Sequence, residues 1–302
     1  MKIKKRDERI PFRRMIFLQL GLVLFPPYVL SASEFSAVGH KSIKGLEVVY
    51  SHTSHGLGFQ VVGKSLLSES GIQKTSRAQL KTSSPVRNAF LIWSGETKKS
   101  NNSIEMITFL TPDKMEHRIT AQRLWSKNST GILYSAFAEV TKYVSGSGLY
   151  GVKDLHSDRV NPGGRDPYTV AGWALVAITE DPGSREKNSI TLLAGLQVLK
   201  PGETYNLSLT PYAPPASPEP RAIGIIGGHG RAGNGSANLL NNNALSGRED
   251  WDGSAGKFWD VDKFEINRDN NNDGDERLTL TIDPLLQWLY PVGVVVTFKS
   301  HE

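Results

Sequence analysis

Apolar residues recur in short blocks along most of the chain, and these blocks have the length and spacing of β-strands. Ala89–Trp93, Ile104–Phe109 and His117–Trp125 are rich in β-branched and aromatic residues. Ile190–Leu199 and Tyr205–Thr210 extend the series, and in the last block apolar and polar positions alternate. Because such blocks are bounded by glycine, proline, asparagine and serine, the pattern predicts a protein built almost entirely from strands.

One block, Trp173–Ile178, is apolar at every position. A strand with both faces buried has this composition, so we expect it at the centre of a sandwich, with Trp93 and Trp173 in the core. The block is followed by the turn sequence of Asp181–Gly183, in which proline fixes φ and glycine tolerates a positive φ.

Helical patterns are confined to two short segments. In Ser135–Val144, apolar residues recur at i, i+4 and i+7 spacing, which predicts one short amphipathic helix. Asp283 and Pro284 resemble a cap and a first helical residue, which predicts one or two turns over Leu285–Trp288. The expected fold class is all-β, a β-sandwich or jelly-roll-like fold with one or two short helices.

Two segments predict long connections. The proline-rich Pro211–Pro220 is expected to be an extended connector. Glycine and asparagine dominate Gly224–Gly247, for which we expect little core material and either a binding surface or poor order. Within it, Gly228–Gly233 matches the G-x-G-x-x-G pattern of dinucleotide sites, but Asn234–Ser236 follows where a helix would have to begin, which favours a flexible glycine loop.

Composition excludes several classes of protein. The chain has 302 residues, of which 38% are hydrophobic and 22% charged. It is therefore neither a multi-span membrane protein nor a wholly disordered chain, and it is long enough for one large or two small domains. The absence of cysteine excludes a disulfide scaffold, a thiol nucleophile and any site in which cysteine binds zinc or an iron–sulfur cluster.

The net charge of +5 originates at the start of the chain. Residues 1–33 hold seven Lys or Arg against two Asp or Glu, so the remainder has 28 basic and 28 acidic residues and offers nucleic acid no net attraction. The basic stretch precedes the apolar run Met15–Phe25 and the small residues Ser31–Ser33, which predicts a signal peptide over residues 1–33. The run is too short to span a bilayer, so we expect no membrane span in the mature chain. The protein is expected to be secreted, periplasmic or at the cell surface, with N-terminal strands and a loop segment over residues 34–85 and a β-sandwich domain over residues 86–302.

An acidic segment near residue 270 is the candidate metal site. Its oxygen-bearing residues occupy positions 1, 3 and 5 of a calcium loop, with Gly274 at position 6. Leu280 stands at position 12, where a bidentate glutamate belongs, so the predicted calcium affinity is weak. The predicted calcium ligands are Asp269, Asn271, Asp273 and Asp275, with Asp260, Asp262 or Glu265 as a substitute for the missing ligand. The alternative interpretation is a solvated hairpin that turns at Asp273 and Gly274.

Catalytic motifs are sparse. His52 and His55 are three residues apart and would face opposite sides of a strand, so a polar loop is the favoured interpretation over a metal site. The sequence contains no G-x-S-x-G, S-x-x-K or H-E-x-x-H pattern. Asp260 and Asp262 could form a glycosidase pair, although most such pairs are surface charges.

Five short segments occur in order along the chain between Ala89 and Thr297. The segments are Ala89–Gly95, Tyr134–Thr141, Ala171–Val176, Trp259–Ile266 and Val292–Thr297. Their succession resembles an uncharacterised domain of secreted and surface-anchored bacterial proteins, the DUF3344-like group. The resemblance extends from about Val86 to Phe298. It implies an extracellular β-rich module and supplies no catalytic residues.

These observations lead to two functional hypotheses. The first is a secreted non-enzymatic β-sandwich protein of the bacterial surface or extracellular matrix, with a ligand-binding or adhesive role toward a glycan or protein. The second is a secreted hydrolase acting on polysaccharide through a site that no motif reveals. A cleft with convergent carboxylates or histidines would favour the hydrolase, and an exposed aromatic or calcium-bearing surface would favour binding.

Overall fold

The computed structural model describes residues 40–41, 45–98, 102–128, 131–158, 170–209, 219–247, 249–266 and 278–300. These residues form strands and two short 3-10 helices, Asn102–Glu105 and Thr141–Tyr143. The first strands are β1 His40–Lys41, β2 Gly45–His55, β3 Leu57–Ser65, β4 Leu67–Ser68, β5 Gly71–Ile72, β6 Thr75–Leu80, β7 Val86–Thr97, β8 Met106–Leu110, β9 Glu116–Thr120, β10 Arg123–Asn128 and β11 Ile132–Glu139. The others are β12 Gly148–Lys153, β13 Ala171–Glu180, β14 Lys187–Leu196, β15 Tyr205–Leu209, β16 Glu219–Gly228, β17 Ala237–Leu240, β18 Asn243–Ala244, β19 Trp259–Glu265, β20 Leu278–Asp283 and β21 Tyr290–Lys299.

The strands form four main sheets. The first inner sheet has the order β1-β10-β11-β7-β13-β3, and the second inner sheet has the order β19-β16-β21-β14-β2. The first outer sheet is β6-β12-β8-β9, and the second outer sheet is β15-β20-β17-β18. Apart from the short parallel pair β1 and β10, the pairings within these sheets are antiparallel.

Three hydrophobic cores separate the four sheets. Leu91 of the first inner sheet packs in a cluster with Phe109 of the first outer sheet, whereas the next residue, Ile92, packs with Leu192 of the second inner sheet. Leu193, the next residue of β14, packs in a third cluster with residues of the second outer sheet. The sheets therefore stack as outer, inner, inner, outer, and central strands of the inner sheets, such as β13 and β21, are buried on both faces.

This stacking explains the continuous apolar block in β13. The strand is buried from Ala171 to Thr179, because one face meets the first outer sheet and the other meets the second inner sheet. Trp93 and Trp173 have no exposed surface, which confirms their predicted place in the core. The predicted all-β sandwich class is also confirmed.

The two predicted helices are wrong in detail. Ser135–Val144 begins inside strand β11, and only Thr141–Tyr143 forms a single 3-10 turn. The segment after Pro284 is a turn, in which the Gln287 amide donates to the Pro284 carbonyl at 3.1 Å. No helix in the described ranges is both long and apolar enough to cross a membrane.

The glycine-rich segment begins as core and not as a loop. Gly224–Gly228 belongs to β16, and Ile223, Ile225 and Ile226 beside its glycines are buried. A Cβ at Gly227 would lie 2.5 Å from the Trp251 ring, so glycine is needed here for close packing. The expectation of little core material was therefore wrong, since the segment leaves this sheet only at His229 and later forms β17, in which Ala237 and Leu240 are buried.

Candidate functional site

A groove opens where two strand connections pass between the inner sheets. β2 turns into β3 at Gly56, and β13 leads into β14 through residues 181–186. Gly56 has a φ of +67°, and a Cβ there would lie 2.1 Å from the Asp181 carbonyl oxygen, so glycine lets the two connections cross closely. The groove has a volume of about 410 Å³, which falls within the range of small-molecule sites. We call it the corner groove, and it is lined by His55, Pro85, Val86, Arg87, Glu180, Asp181 and Pro182.

A β-bulge in each of two strands shapes this region. In β7, Arg87 is the extra residue, since Val86 and Asn88 pair with consecutive residues of β13. In β2, Val49 is the extra residue against β14. A bulge bends the strand and re-aims the adjacent side chains. The register of the sheets thus places Arg87 in the groove, next to the end of β13.

Arg87 and Glu180 form the polar wall of the corner groove. Arg87 Nη1 lies 2.5 Å from Glu180 Oε2, and the Ser54 hydroxyl donates to Glu180 Oε1 at 2.6 Å. The hydrogen bond from Ser54, together with the hydrogen bond and charge of Arg87, lowers the pKa of Glu180. The carboxylate is therefore ionised and held at both oxygens, and each oxygen retains capacity to accept a further hydrogen bond.

Two aromatic side chains of β2 continue this polar region. The Tyr50 hydroxyl donates to Asn88 Oδ1 at 2.9 Å, and burial raises the pKa of Tyr50 to about 12. Burial, reinforced by the charge of Arg87, lowers the pKa of His52. Both side chains are consequently neutral at pH 7, so they present hydrogen-bonding groups and no charge.

His52 and His55 both lie in β2, so the predicted polar loop is wrong. Positions three apart in a strand face opposite sides. His52 is half-buried and feels the charges of Arg87 and Glu180, whereas His55 is exposed and lines the corner groove. Both histidines therefore lie near Arg87 and Glu180, but their side chains leave opposite faces of β2 and do not converge on a common ligand position.

Two carboxyl groups with a raised pKa lie in a different part of the fold. Burial raises the pKa of Asp260 to about 7 and that of Asp262 to about 6, with further contributions from neighbouring aspartates. Val261, between them, lies beside Gly63, where a Cβ would come within 2.9 Å of its side chain. Gly63 pairs with Ala174, which is six residues, or about 20 Å of strand, from Glu180. Glycosidase carboxyl pairs lie within about 10 Å of each other, so these aspartates cannot complete such a pair with Glu180.

Asp260 itself is enclosed, with 1% of its surface exposed. Its Oδ1 accepts hydrogen bonds from the Gly253 and Ser254 amides at 2.5 and 3.2 Å. Its Oδ2 is buried without a hydrogen-bond partner, against Gly230, where a Cβ would lie 2.1 Å from that oxygen. The hydrogen bonds to Asp260 Oδ1 hold the loop before β19 in place, while Oδ2 stays without a hydrogen-bond partner. Because the side chain is enclosed, a substrate cannot reach it.

The predicted calcium ligands Asp269, Asn271, Asp273 and Asp275 lie outside the described residues. The strands that flank them belong to different sheets, since β19 pairs with β16 and β20 pairs with β15 and β17. β19 and β20 therefore do not pair with each other, and the turn of the alternative interpretation, at Asp273 and Gly274, also lies outside the described residues. In the ranges that the structure describes, no group of three or more His, Asp or Glu side chains is arranged to hold a metal ion. Leu280, at the twelfth position, is fully buried in the third hydrophobic cluster, between the second inner and second outer sheets.

No motif in the sequence singles out Arg87, Glu180 or Ser54. Glu180 directly precedes the predicted turn at Asp181–Gly183, and Arg87 lies two residues before the predicted strand that begins at Ala89. Charged residues at the junction of a strand and a turn are the signal that could have identified them. The bulge that brings Arg87 into the groove depends on pairing with β13, which no local pattern reveals.

Among known proteins, similarity to this chain is found only in solved structures. No family model matches the chain, and no curated protein matches it. Among solved structures, the chain is similar to a cupin 2 conserved barrel domain protein from Leptotrichia buccalis, with 6% identity, a TM-score of 0.26, and coverage of 84% of this chain and 91% of that one. It is also similar to a peptide-N(4)-(N-acetyl-β-D-glucosaminyl) asparagine amidase, with 9% identity, a TM-score of 0.23, and coverage of 81% and 97%. A third is a chain from the Sulfolobus Turreted Icosahedral Virus, with 6% identity, a TM-score of 0.26, and coverage of 80% and 90%. At these scores the similarities carry no argument about function.

Proposed function

We propose that this protein is an exported, non-enzymatic β-sandwich protein of the bacterial surface or extracellular matrix, and that the corner groove is its binding site. The proposal of export rests on the basic, apolar and small-residue series of residues 1–33 and on the charge balance of the remaining chain. The resemblance to secreted and surface-anchored bacterial domains agrees with it. Calcium, held weakly by Asp269, Asn271, Asp273 and Asp275, would be an accessory ion.

The observation that carries the binding role is the state of Glu180. A glycosidase needs a carboxylic acid that keeps its proton near neutral pH, in addition to an ionised carboxylate. Ser54 and Arg87 hold Glu180 of the corner groove ionised, and His52, which feels the charges of Arg87 and Glu180, is neutral. These groups are pre-organised to hold a ligand, and Glu180 in its ionised state does not supply a general acid.

The test uses the full chain expressed in a bacterial host with an export pathway. Cell fractionation and N-terminal sequencing are expected to find an exported protein that begins near Glu34, and retention of residues 1–14 would contradict export. Binding is measured by co-sedimentation of the purified protein with isolated bacterial envelopes, while released reducing ends are assayed in the same tubes.

The matched variants are Arg87→Ala, in the groove, and Lys153→Ala, which removes an equally short ion pair to Glu116 in the first outer sheet. We expect Arg87→Ala to weaken co-sedimentation and Lys153→Ala to leave it unchanged. Release of reducing ends that depends on Glu180 would overturn the non-enzymatic role and favour the polysaccharide hydrolase.

A further inference from the structure

We propose that the ligand of the corner groove is a neutral sugar chain, with adjacent hydroxyl groups of one sugar residue bound between Arg87 and Glu180. This inference rests on the proposed function, because it names the class of ligand for the same site. Three properties of the groove lead to it: its charge, its hydrogen-bonding groups and its apolar rim.

The charge of the groove disfavours an acidic ligand. Arg87 is the one cationic side chain among the residues that line it, and Glu180 already neutralises that charge at 2.5 Å. Asp181, the second carboxylate of the lining, uses Oδ1 to accept the Gly183 amide at 2.9 Å and adds a negative charge. An incoming carboxylate or sulfate would have to compete with Glu180 for the guanidinium while facing Asp181. A neutral ligand avoids both costs.

The hydrogen-bonding groups suit a pair of hydroxyl groups. Each sugar hydroxyl can donate one hydrogen bond and accept others. One hydroxyl can donate to a Glu180 oxygen while its neighbour accepts from the remaining N–H groups of Arg87, which carries five donors. Hydrogen bonds to charged groups are the stronger class, so two of them are enough to orient one sugar ring.

These groups are also fixed in place before the ligand arrives. Both Glu180 oxygens are already engaged, by Ser54 and Arg87, and the bulge in β7 sets the position of Arg87. Binding therefore orders few side chains, which lowers its entropic cost.

The rim supplies the apolar contact that a sugar ring also needs. Pro85, Val86 and Pro182 border the same groove, and both prolines are exposed. The C–H face of a sugar ring can pack on such residues. Proline has no amide N–H, so the rim offers an extended peptide few of the backbone hydrogen bonds on which strand addition depends. The combination favours a glycan over a peptide.

The inference is tested by titration calorimetry with the full-length protein. The probes are neutral oligosaccharides of two to six residues, sulfated and carboxylated oligosaccharides of the same lengths, and unrelated peptides. We expect binding to neutral oligosaccharides, and a loss of at least tenfold in affinity in Glu180→Ala and Arg87→Ala, since each variant removes a charge-assisted hydrogen bond. Lys153→Ala is expected to bind like the wild type. Circular dichroism at the titration temperature checks that each variant is folded.

The outcomes separate this inference from the proposed function. Binding of acidic oligosaccharides or peptides that is weakened by the two groove variants would overturn the neutral-sugar inference and keep the groove as the binding site. Binding of neutral oligosaccharides that neither groove variant affects would overturn the groove itself. Failure of every neutral oligosaccharide to bind at millimolar concentration would also overturn the inference.

Discussion

Replacement of Asp260 by asparagine should make the protein more stable at pH 8 and leave its stability near pH 4 unchanged. The carboxyl group has 1% of its surface exposed, and its Oδ2 has no hydrogen-bond partner. Burial raises its pKa from 3.8 to about 7. Asparagine has the shape of the protonated acid, and its Oδ1 can still accept the Gly253 and Ser254 amides.

The expected size follows from proton linkage. Below about pH 4, the folded and unfolded chains both hold the proton, so this group makes no difference to stability. Between about pH 4 and pH 7, the folded protein keeps the proton that the unfolded chain releases, so the free energy of unfolding falls as pH rises. A pKa difference of about three units corresponds to about 4 kcal/mol, and the stability of the variant relative to wild type should rise by this amount between pH 4 and pH 8. In a domain of this size that is a shift on the order of 10 °C in Tm.

The assay is urea unfolding of wild type and Asp260→Asn at half-unit intervals from pH 4 to pH 8.5, followed by tryptophan fluorescence. The difference between the two proteins isolates Asp260 from other titrating groups. Asp181→Asn is the matched control, because Asp181 also accepts a backbone amide through Oδ1 but is exposed. A difference that does not change with pH, or a variant less stable than wild type at pH 8, would refute the reasoning.

Three further predictions concern the core and the acidic segment. Trp173→Ala should lower the free energy of unfolding by about 3–5 kcal/mol in urea titrations, whereas Leu286→Ala, at a side chain that is 80% exposed, should change it by less than about 0.5 kcal/mol. Gly172→Ala should destabilise by about 1–3 kcal/mol in the same assay, because its Cβ would lie 2.1 Å from the Trp259 ring; equal stability would mean that the ring can move aside. Several millimolar calcium should raise the thermal midpoint of wild type by an amount equivalent to at most about 1.4 kcal/mol, whereas magnesium should not raise it and chelator or Asp273→Ala should abolish the calcium effect. A midpoint indifferent to calcium would contradict the site.

The strands of the inner sheets show which secondary structure the local sequence pattern can predict and which it cannot. The block Trp173–Ile178 was correctly assigned to a central strand, because burial on both faces leaves no polar position. Ser135–Val144 lies partly in β11, which is also buried on both faces, and a strand that has lost its alternation can match helical spacing by coincidence. A helix and a strand could be distinguished here only from the pairing of this segment with β10 and β7 on either side.

The glycines of β16 and the corner groove depend on contacts between distant residues. Gly224–Gly228 has the composition of a loop, yet its glycines make room for side chains such as Trp251 on neighbouring elements. Arg87 and Glu180 are 93 residues apart and meet because β7 and β13 pair with a bulge. Sequence spacing carries no information about such a register, so the fold class could be predicted and the site could not.

The order of strands within the second inner sheet has a consequence for how the chain folds. β21, made last among the described strands, lies between β16 and β14, and β14 in turn pairs with β2 near the beginning. The sheet therefore has a gap in its middle until β21 has been synthesised, and its closure requires long loops to be formed first. Topologies dominated by such distant pairings fold slowly. Until β21 is in place, β14 and β16 therefore lack the strand that joins them, and the second inner sheet cannot close.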